Sequence, residues 1–216
     1  IISPKARLQN FQKIRASVVR LSNQNIMPNV KGYTDKQIID RVKSLDSFTH
    51  IPEGYWLCGV RSDEDAFNRT DDKIYLFKSE KCLDVYKATT NAGTDMLSPT
   101  NPRGEAVLVA DEIYYDSWTQ RSHRGKVWAW CQSKPVKISR DNDRDRKTEE
   151  LTVPKMELTG INIHPMDYNK GSKIEKEFIQ GWSQGCQTFA VRAKFDEMMN
   201  LTKAQSQLTY CLLNEW

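Results

Sequence analysis

The chain has 216 residues and a formal net charge of +4, from 32 basic and 28 acidic side chains. This near balance indicates a mixed surface, and it excludes the strongly basic composition that is typical of nucleic-acid-binding proteins. No apolar run approaches the roughly 18 residues that a membrane-spanning helix requires, so we expect no membrane span. The length suits one sizeable domain, or one domain with a helical extension.

The first 48 residues predict an N-terminal helical extension. Five apolar residues between residues 4 and 22 recur at the spacing of one helix face: Leu8, Phe11, Ile14, Val18 and Leu21. A second helix is predicted from about Thr34 to Leu45, with Thr34 or Asp35 as its N-cap. We therefore divide the chain into this extension, residues 1–48, and a second domain, residues 49–216.

The second domain predicts short β-strands separated by polar turns. The predicted strands are residues 55–60, 73–77, 82–90, 106–110, 126–132, 135–139, 160–164 and 207–213. A helical turn is predicted within residues 172–180, and a helix over residues 195–201. Many short strands without a βαβ alternation favour a mainly β fold, either a β-sandwich or a barrel.

A charged loop is predicted over residues 140–150, where aspartates alternate at Asp141, Asp143 and Asp145. Carboxylates are the ligands that Ca²⁺ prefers, but the full twelve-residue calcium loop is not present, because its sixth position is not glycine and arginines interleave with the aspartates. We interpret this segment as a solvated, self-paired loop and predict no metal site.

The five cysteines are Cys58, Cys82, Cys131, Cys186 and Cys211. Their odd number, their wide spacing and the lack of a CxxC pair argue against a disulfide framework and against a structural zinc site. Four of them have apolar or aromatic neighbours and are predicted to be buried, inert thiols. Cys186 differs, because it ends the polar sequence Ser183-Gln184-Gly185-Cys186.

The segment from residue 160 to residue 187 predicts a thiol acyl-transfer site. Such a site needs a nucleophile, a positioned base and backbone N–H donors for the oxyanion. We predict Cys186 as the nucleophile and His164, at the end of a short apolar strand, as its base. Gly185 permits a tight turn, and the N–H groups of Gly185 and Cys186 are expected to hold the oxyanion. Ser183 either orients the histidine or substrate, or bonds the backbone of the turn.

This pattern resembles the L,D-transpeptidase catalytic domain of bacterial cell-wall enzymes, whose signature is a strand-borne His, a spacer and Ser/Thr-x-Gly-Cys. Here the signature consists of His164, an 18-residue spacer and residues 183–186. The stretch from about Gly54 to Leu213 also resembles a divergent phage and bacterial branch of that family, through residues 73–77, 89–93, 101–104, 122–125, 140–145 and 160–164. Two departures are Gln184, where the family often has His, and Gln187-Thr188 after the cysteine.

The resemblance implies a mainly β catalytic fold that acts at the bacterial cell wall. It implies a peptidoglycan stem peptide as the acyl donor, and a thioester on Cys186 that an amine or water resolves. Neither a metal nor an organic cofactor is required. His123, in a basic turn, is predicted to bind a stem-peptide carboxylate, to help the proton relay or to be a surface histidine. Trp182 is predicted to pack beneath the nucleophile or to line the donor cleft, and Gln184 to contact substrate.

Two alternatives remain open. The first is a peptidoglycan hydrolase that cuts stem peptides, with water as the only acceptor. The second is a wall-binding or phage virion structural module whose altered motif no longer supports catalysis. Because the chain opens with Ile1 rather than Met, we expect its natural start to be missing, which fits a piece of a larger protein or of a phage assembly.

Overall fold

The computed structural model describes residues 32–64 and 66–216. The helix predicted within residues 4–22 lies outside these residues. The second predicted helix is confirmed as α1, Asp35–Lys43. It begins with a capping box, in which the Thr34 side chain accepts from the Gln37 backbone and the Gln37 side chain accepts from the Thr34 backbone.

The described residues contain eleven strands, a second α-helix and two short 3₁₀ turns. The strands are β1 (Tyr55–Arg61), β2 (Asp72–Lys78), β3 (Lys81–Thr89), β4 (Glu105–Leu108), β5 (Glu112–His123), β6 (Val127–Gln132), β7 (Val136–Asp141), β8 (Lys155–Glu157), β9 (Ile163–Pro165), β10 (Gln187–Phe189) and β11 (Gln207–Asn214). Helix α2 spans Arg192–Thr202, and the 3₁₀ turns span Thr94–Leu97 and Gln180–Trp182.

Eight of the strands close into a barrel in the order β1-β11-β5-β6-β9-β10-β3-β2. The pairs β1–β11 and β9–β10 are parallel, whereas the other barrel pairs are antiparallel. Strands β4, β7 and β8 form a separate antiparallel sheet in that order with β7 central. The fold is therefore mainly β, as the sequence predicts.

Two apolar clusters pack on this framework. The larger cluster includes Trp118, Trp130, Tyr210 and Phe189, all with at most a trace of exposed surface. The smaller cluster places the buried face of α1 against β1, β2 and β11. None of the helices in the part of the chain that the structure describes is long and apolar enough to cross a membrane.

The structure corrects three local expectations. The sequence analysis does not predict strands β5, β8 and β10, and β5 mixes polar and apolar residues irregularly around a non-glycine residue with positive φ, Asp116. The helical turn expected within residues 172–180 is wrong, because this segment pairs with other parts of the chain; the Lys176 N–H, for example, donates to the Ala190 carbonyl at 2.9 Å. Cys82 is only partly buried, whereas Cys58, Cys131 and Cys211 are buried.

Candidate active site

The parallel pairing of β9 and β10 positions the two residues predicted to carry the chemistry. Thr188 lies opposite His164 in this register. The Gln187 N–H donates to the Asn162 carbonyl at 2.9 Å, so Cys186, just before β10, lies beside Asn162. Successive strand residues point to opposite faces, which places Cys186 and His164 on the same face of neighbouring strands. Gln187 points to the other face and accepts a hydrogen bond from the Tyr210 hydroxyl at 2.7 Å.

The turn before Cys186 requires glycine. Gly185 has φ +106°, and a Cβ atom at this position would lie 1.9 Å from the Ala106 carbonyl oxygen. The Ser183 hydroxyl oxygen is buried inside the turn, where it accepts from the Gly185 N–H at 3.2 Å and lies 2.9 Å from the Cys186 carbonyl oxygen. The contacts of Ser183 are thus with backbone, the second of the two roles that the sequence left open.

The Cys186 sulfur is held by backbone groups. The Asn162 N–H donates to it at 3.4 Å, and the thiol lies 3.5 Å from the Gly160 carbonyl oxygen. Burial raises the pKa of Cys186 to about 11, against the opposing effects of the Asn162 N–H and of the Arg124 charge. No hydrogen bond joins Cys186 to a histidine within residues 32–64 and 66–216. The resting nucleophile is therefore a protonated thiol.

His164 is a buried, neutral imidazole. It is 1% exposed, and its Nδ1 atom lies 3.1 Å from the Pro165 carbonyl oxygen. A carbonyl can only accept, so Nδ1 carries the proton and Nε2 keeps the lone pair that a base needs. Burial, followed by the nearby His123, lowers the pKa of His164 to about 3.

His123, the last residue of β5, stacks on His164 and lines the cavity described below. It is 5% exposed, so the surface-histidine role that the sequence allowed is wrong. Its Nδ1 atom is 3.2 Å from the Asn162 amide nitrogen, which can only donate, so the His123 proton lies on Nε2. That buried Nε2 atom has no partner among the described residues. Burial, with a smaller effect of Arg124, lowers the pKa of His123. His123 thus presents an unused N–H donor.

Cys186 and His123 line one cavity of about 660 Å³. Three arginines also line it, Arg121, Arg124 and Arg140, and Glu105 is the one acidic side chain among its described lining residues. Arg140 is paired with Glu157, so Arg121 and Arg124 supply the positive charge, which suits an anionic ligand. His164 is not among the described residues of the cavity wall.

Trp182 and Gln184 also line this cavity. The Trp182 ring packs edge-on against Tyr168, with ring centroids 5.0 Å apart. The Gln184 side-chain nitrogen donates to Asp95 at 2.9 Å, which fixes the amide at the cavity edge. All three residues that the sequence assigned to substrate contact, His123, Trp182 and Gln184, therefore line the same cavity as the candidate nucleophile.

The two predicted oxyanion donors differ in the resting structure. The Gly185 N–H is used by Ser183. The Cys186 N–H makes no hydrogen bond to any other residue that the structure describes. One of the two donors is consequently without a partner among the described residues of the resting structure.

The charged loop brings together Asp143, Asp145 and Glu149, whose carboxylate oxygens lie within 4.8 Å of one another. Asp143 and Asp145 each accept a backbone N–H two residues further along. Asp141 is not part of this group, because it ends β7 and pairs with Glu105 of β4. The cluster is mostly exposed and its aspartates bond backbone N–H groups of the loop, so it defines no site by itself.

Two residues of the cavity escaped the sequence analysis. Glu105 is 3% exposed and starts β4, and Asn162 contacts both Cys186 and His123. Neither belongs to the predicted Cys–His signature. The only available signal was the family resemblance of two short segments. Glu105 directly follows residues 101–104, and Asn162 lies within residues 160–164.

We found no protein-family model, curated protein or solved structure that matches this chain. The class of this protein is therefore described from its own fold and candidate site. It is a mainly β protein in which Cys186 and His123 line one cavity, and the buried His164 stacks on His123 behind it.

Proposed function

We propose that this protein performs cysteine-dependent acyl transfer on peptidoglycan stem peptides, in the manner of an L,D-transpeptidase. The observation that carries the proposal is that Cys186 lines a polar cavity beside a stacked pair of histidines. Structural cysteines of this chain, such as Cys58 and Cys211, lie instead in the apolar cluster under α1. The cavity gives Cys186 access to a substrate. His164, which stacks on the cavity residue His123, keeps a lone pair at Nε2 that can accept a proton.

In the proposed reaction, His164 is the base for Cys186. The resting thiol has a pKa of about 11, so its proton leaves as the sulfur attacks rather than beforehand. The sulfur forms a bond to a stem-peptide carbonyl carbon while the proton passes to Nε2 of His164. The C–N bond then breaks, the leaving amine takes that proton, and a thioester remains on Cys186. An amine or water resolves the thioester.

The Cys186 N–H supports this attack, because it is the donor nearest to the nucleophile that has no partner among the described residues. It would stabilise the oxyanion of the tetrahedral intermediate. Removing one donor of this kind typically costs two to three orders of magnitude in rate, that is about 10²–10³-fold.

The charge of the cavity favours the proposed donor class. Stem peptides carry carboxylates, which arginine binds through its forked N–H groups. Arg121 and Arg124 flank His123, whose Nε2–H adds a neutral donor between them. We propose that these three residues hold a stem-peptide carboxylate and that Trp182 covers an apolar part of the donor.

Intact-mass spectrometry tests this proposal. The protein is incubated with purified muropeptides, alongside the variants Cys186→Ala and Cys131→Ala. Cys131 is a matched control because it lines the same cavity but belongs to the apolar cluster. We expect a stem-peptide acyl adduct in the wild type and in Cys131→Ala, and none in Cys186→Ala. If neither the wild type nor either variant forms an adduct or product with muropeptides from several wall types, the proposed enzymatic activity is rejected.

One observation favours a non-catalytic wall-binding role instead. The Cys186 sulfur bonds the backbone of residues 160 and 162 rather than a histidine. A binding module would sediment with peptidoglycan sacculi equally well with Cys186 or with Ala at this position, and neither form would carry an acyl adduct. A hydrolase differs from both, since it would form the adduct and release it only to water.

A further inference from the structure

We infer that Glu105 forms the acyl-acceptor subsite of this cavity, where its carboxylate binds an incoming amine and takes the amine's proton. This inference rests on the proposed function and deepens it, because it selects an amine-bearing acceptor over water.

The first observation is an unsatisfied carboxyl oxygen. Glu105 is 3% exposed and lines the same cavity as Cys186, yet its Oε1 atom has no hydrogen-bond partner among the described residues. A buried polar atom without a partner destabilises the fold, so such atoms are uncommon unless a ligand satisfies them. An ammonium or amine N–H is the ligand group that a carboxylate oxygen accepts from.

The second observation is the contact between the Glu105 strand and the nucleophile turn. Gly185 packs so closely on the Ala106 carbonyl that no side chain fits between them. Glu105 directly precedes Ala106 at the start of β4. The negative charge of Glu105 is also one of the groups that raise the pKa of Cys186. The carboxyl group therefore lies within electrostatic reach of the sulfur that would carry the thioester.

The third observation is the charge pattern of the cavity. Arg121 and Arg124 make it mainly positive, since Arg140 is paired with Glu157, and Glu105 is the one acidic side chain among the described residues of its wall. A carboxylate-bearing donor would bind the arginines, whereas a cationic acceptor has only Glu105 to bind. Burial, then the charge of Asp95, raises the pKa of Glu105 to about 7, against the opposing charge of Arg140. A base with a pKa near the working pH is the most efficient kind.

The proposed step is balanced without any further reactant. The acceptor nitrogen forms a bond to the thioester carbonyl carbon, and Glu105 takes one proton from that nitrogen. The C–S bond breaks, and the proton that Glu105 took passes to the leaving sulfur, which restores both the Cys186 thiol and the Glu105 carboxylate. The products are a new amide and the free enzyme.

The test measures how the acyl-enzyme divides between an amine and water. Wild type, Glu105→Gln, Glu105→Asp and the control Glu112→Gln receive a tetrapeptide muropeptide as donor and glycinamide as acceptor. Glu112 is a suitable control because it is a carboxylate of β5 that pairs with Lys137 and does not line the cavity. Acylation of Cys186 is followed by intact mass, and the amide and hydrolysis products by chromatography. Thermal melting checks that each variant is folded.

We expect Glu105→Gln to acylate within about twofold of the wild-type rate but to lose transfer to glycinamide by on the order of 100-fold. Glu105→Asp should recover part of the transfer, and Glu112→Gln should match the wild type. An unchanged ratio of amide to hydrolysis product in Glu105→Gln would overturn this inference. The proposed acyl-transfer function of Cys186 would still stand. Equal loss of acylation and transfer in a folded Glu105→Gln would overturn it as well. If the wild type forms no thioester, the proposed function fails and the inference falls with it.

Discussion

His123 stacks on His164 with their ring centroids 4.2 Å apart and their planes 16° from parallel. The two rings have different proton arrangements, because Nδ1 of His164 faces a carbonyl oxygen and Nδ1 of His123 faces an amide nitrogen. His164 therefore offers a lone pair at Nε2 and His123 offers a proton at Nε2. The pair combines a base with a hydrogen-bond donor, which gives the two histidines separable roles.

Replacing each histidine by asparagine should separate these roles. His164→Asn should lower the maximal rate of Cys186 acylation by about 10²–10⁴-fold, because it removes the base. His123→Asn should chiefly raise the muropeptide concentration needed for half-maximal acylation. Rates of adduct formation over a range of muropeptide concentrations provide the measurement, and His50→Asn is the control because His50 stacks on Tyr115 far from this cavity's lining. Equal losses in maximal rate for both site variants would contradict the separation.

The neutral state of His164 predicts acid sensitivity. Its pKa is about 3 when folded, against an ordinary value near 6.5, so between these values the unfolded chain binds a proton that the folded chain does not. The contribution of neutral His164 to the free energy of unfolding is fully present above about pH 6.5. It falls by at most about 1.4 kcal/mol per pH unit as the pH drops towards 3. Urea unfolding at about pH 7 and pH 4 should show a smaller acid loss in His164→Asn than in the wild type. An equal acid loss would show that other groups cause it.

The raised pKa of Cys186 predicts slow alkylation near neutral pH. Because only the thiolate reacts, the rate with iodoacetamide should rise about tenfold per pH unit from neutral pH towards the pKa of about 11. Mass spectrometry of the alkylated peptide gives the rate at each pH, with the partly exposed Cys82 as an internal comparison. A rate that is already level below about pH 8 would instead indicate a preformed thiolate–imidazolium pair.

Gly185 and Gly181 form a matched pair of test positions in the nucleophile segment. Gly185→Ala should destabilise the protein by about 1–3 kcal/mol or more and should displace Cys186, because φ is positive and the new Cβ meets the Ala106 carbonyl. Gly181→Ala should have little effect, since a Cβ there meets nothing within 4 Å. Chemical unfolding and adduct formation measure both effects. Similar behaviour of the two variants would mean that the turn tolerates a side chain.

Much of the local structure follows from the sequence. Thr34 with Gln37 predicts the start of α1, and most strands follow from apolar runs bounded by turn residues. Strand β5 was missed because its polar residues break the apolar pattern, although long-range pairing with β11 and β6 makes it the longest strand described. Residues 172–179 carry helix-forming residues, but their backbone groups pair elsewhere in the fold.

The sequence by itself determined the mainly β class and the requirement for glycine at residue 185, and it predicts Cys186 and His164 as nucleophile and base, because these inferences depend on local residue types and short spacings. Only the tertiary structure decided which groups share the cavity. Glu105, His123 and Asn162 meet Cys186 there because β4, β5 and β9 are brought together by pairing between distant segments. It also decided the protonation states of Cys186 and His164, because the pKa of each depends on how deeply the fold buries it.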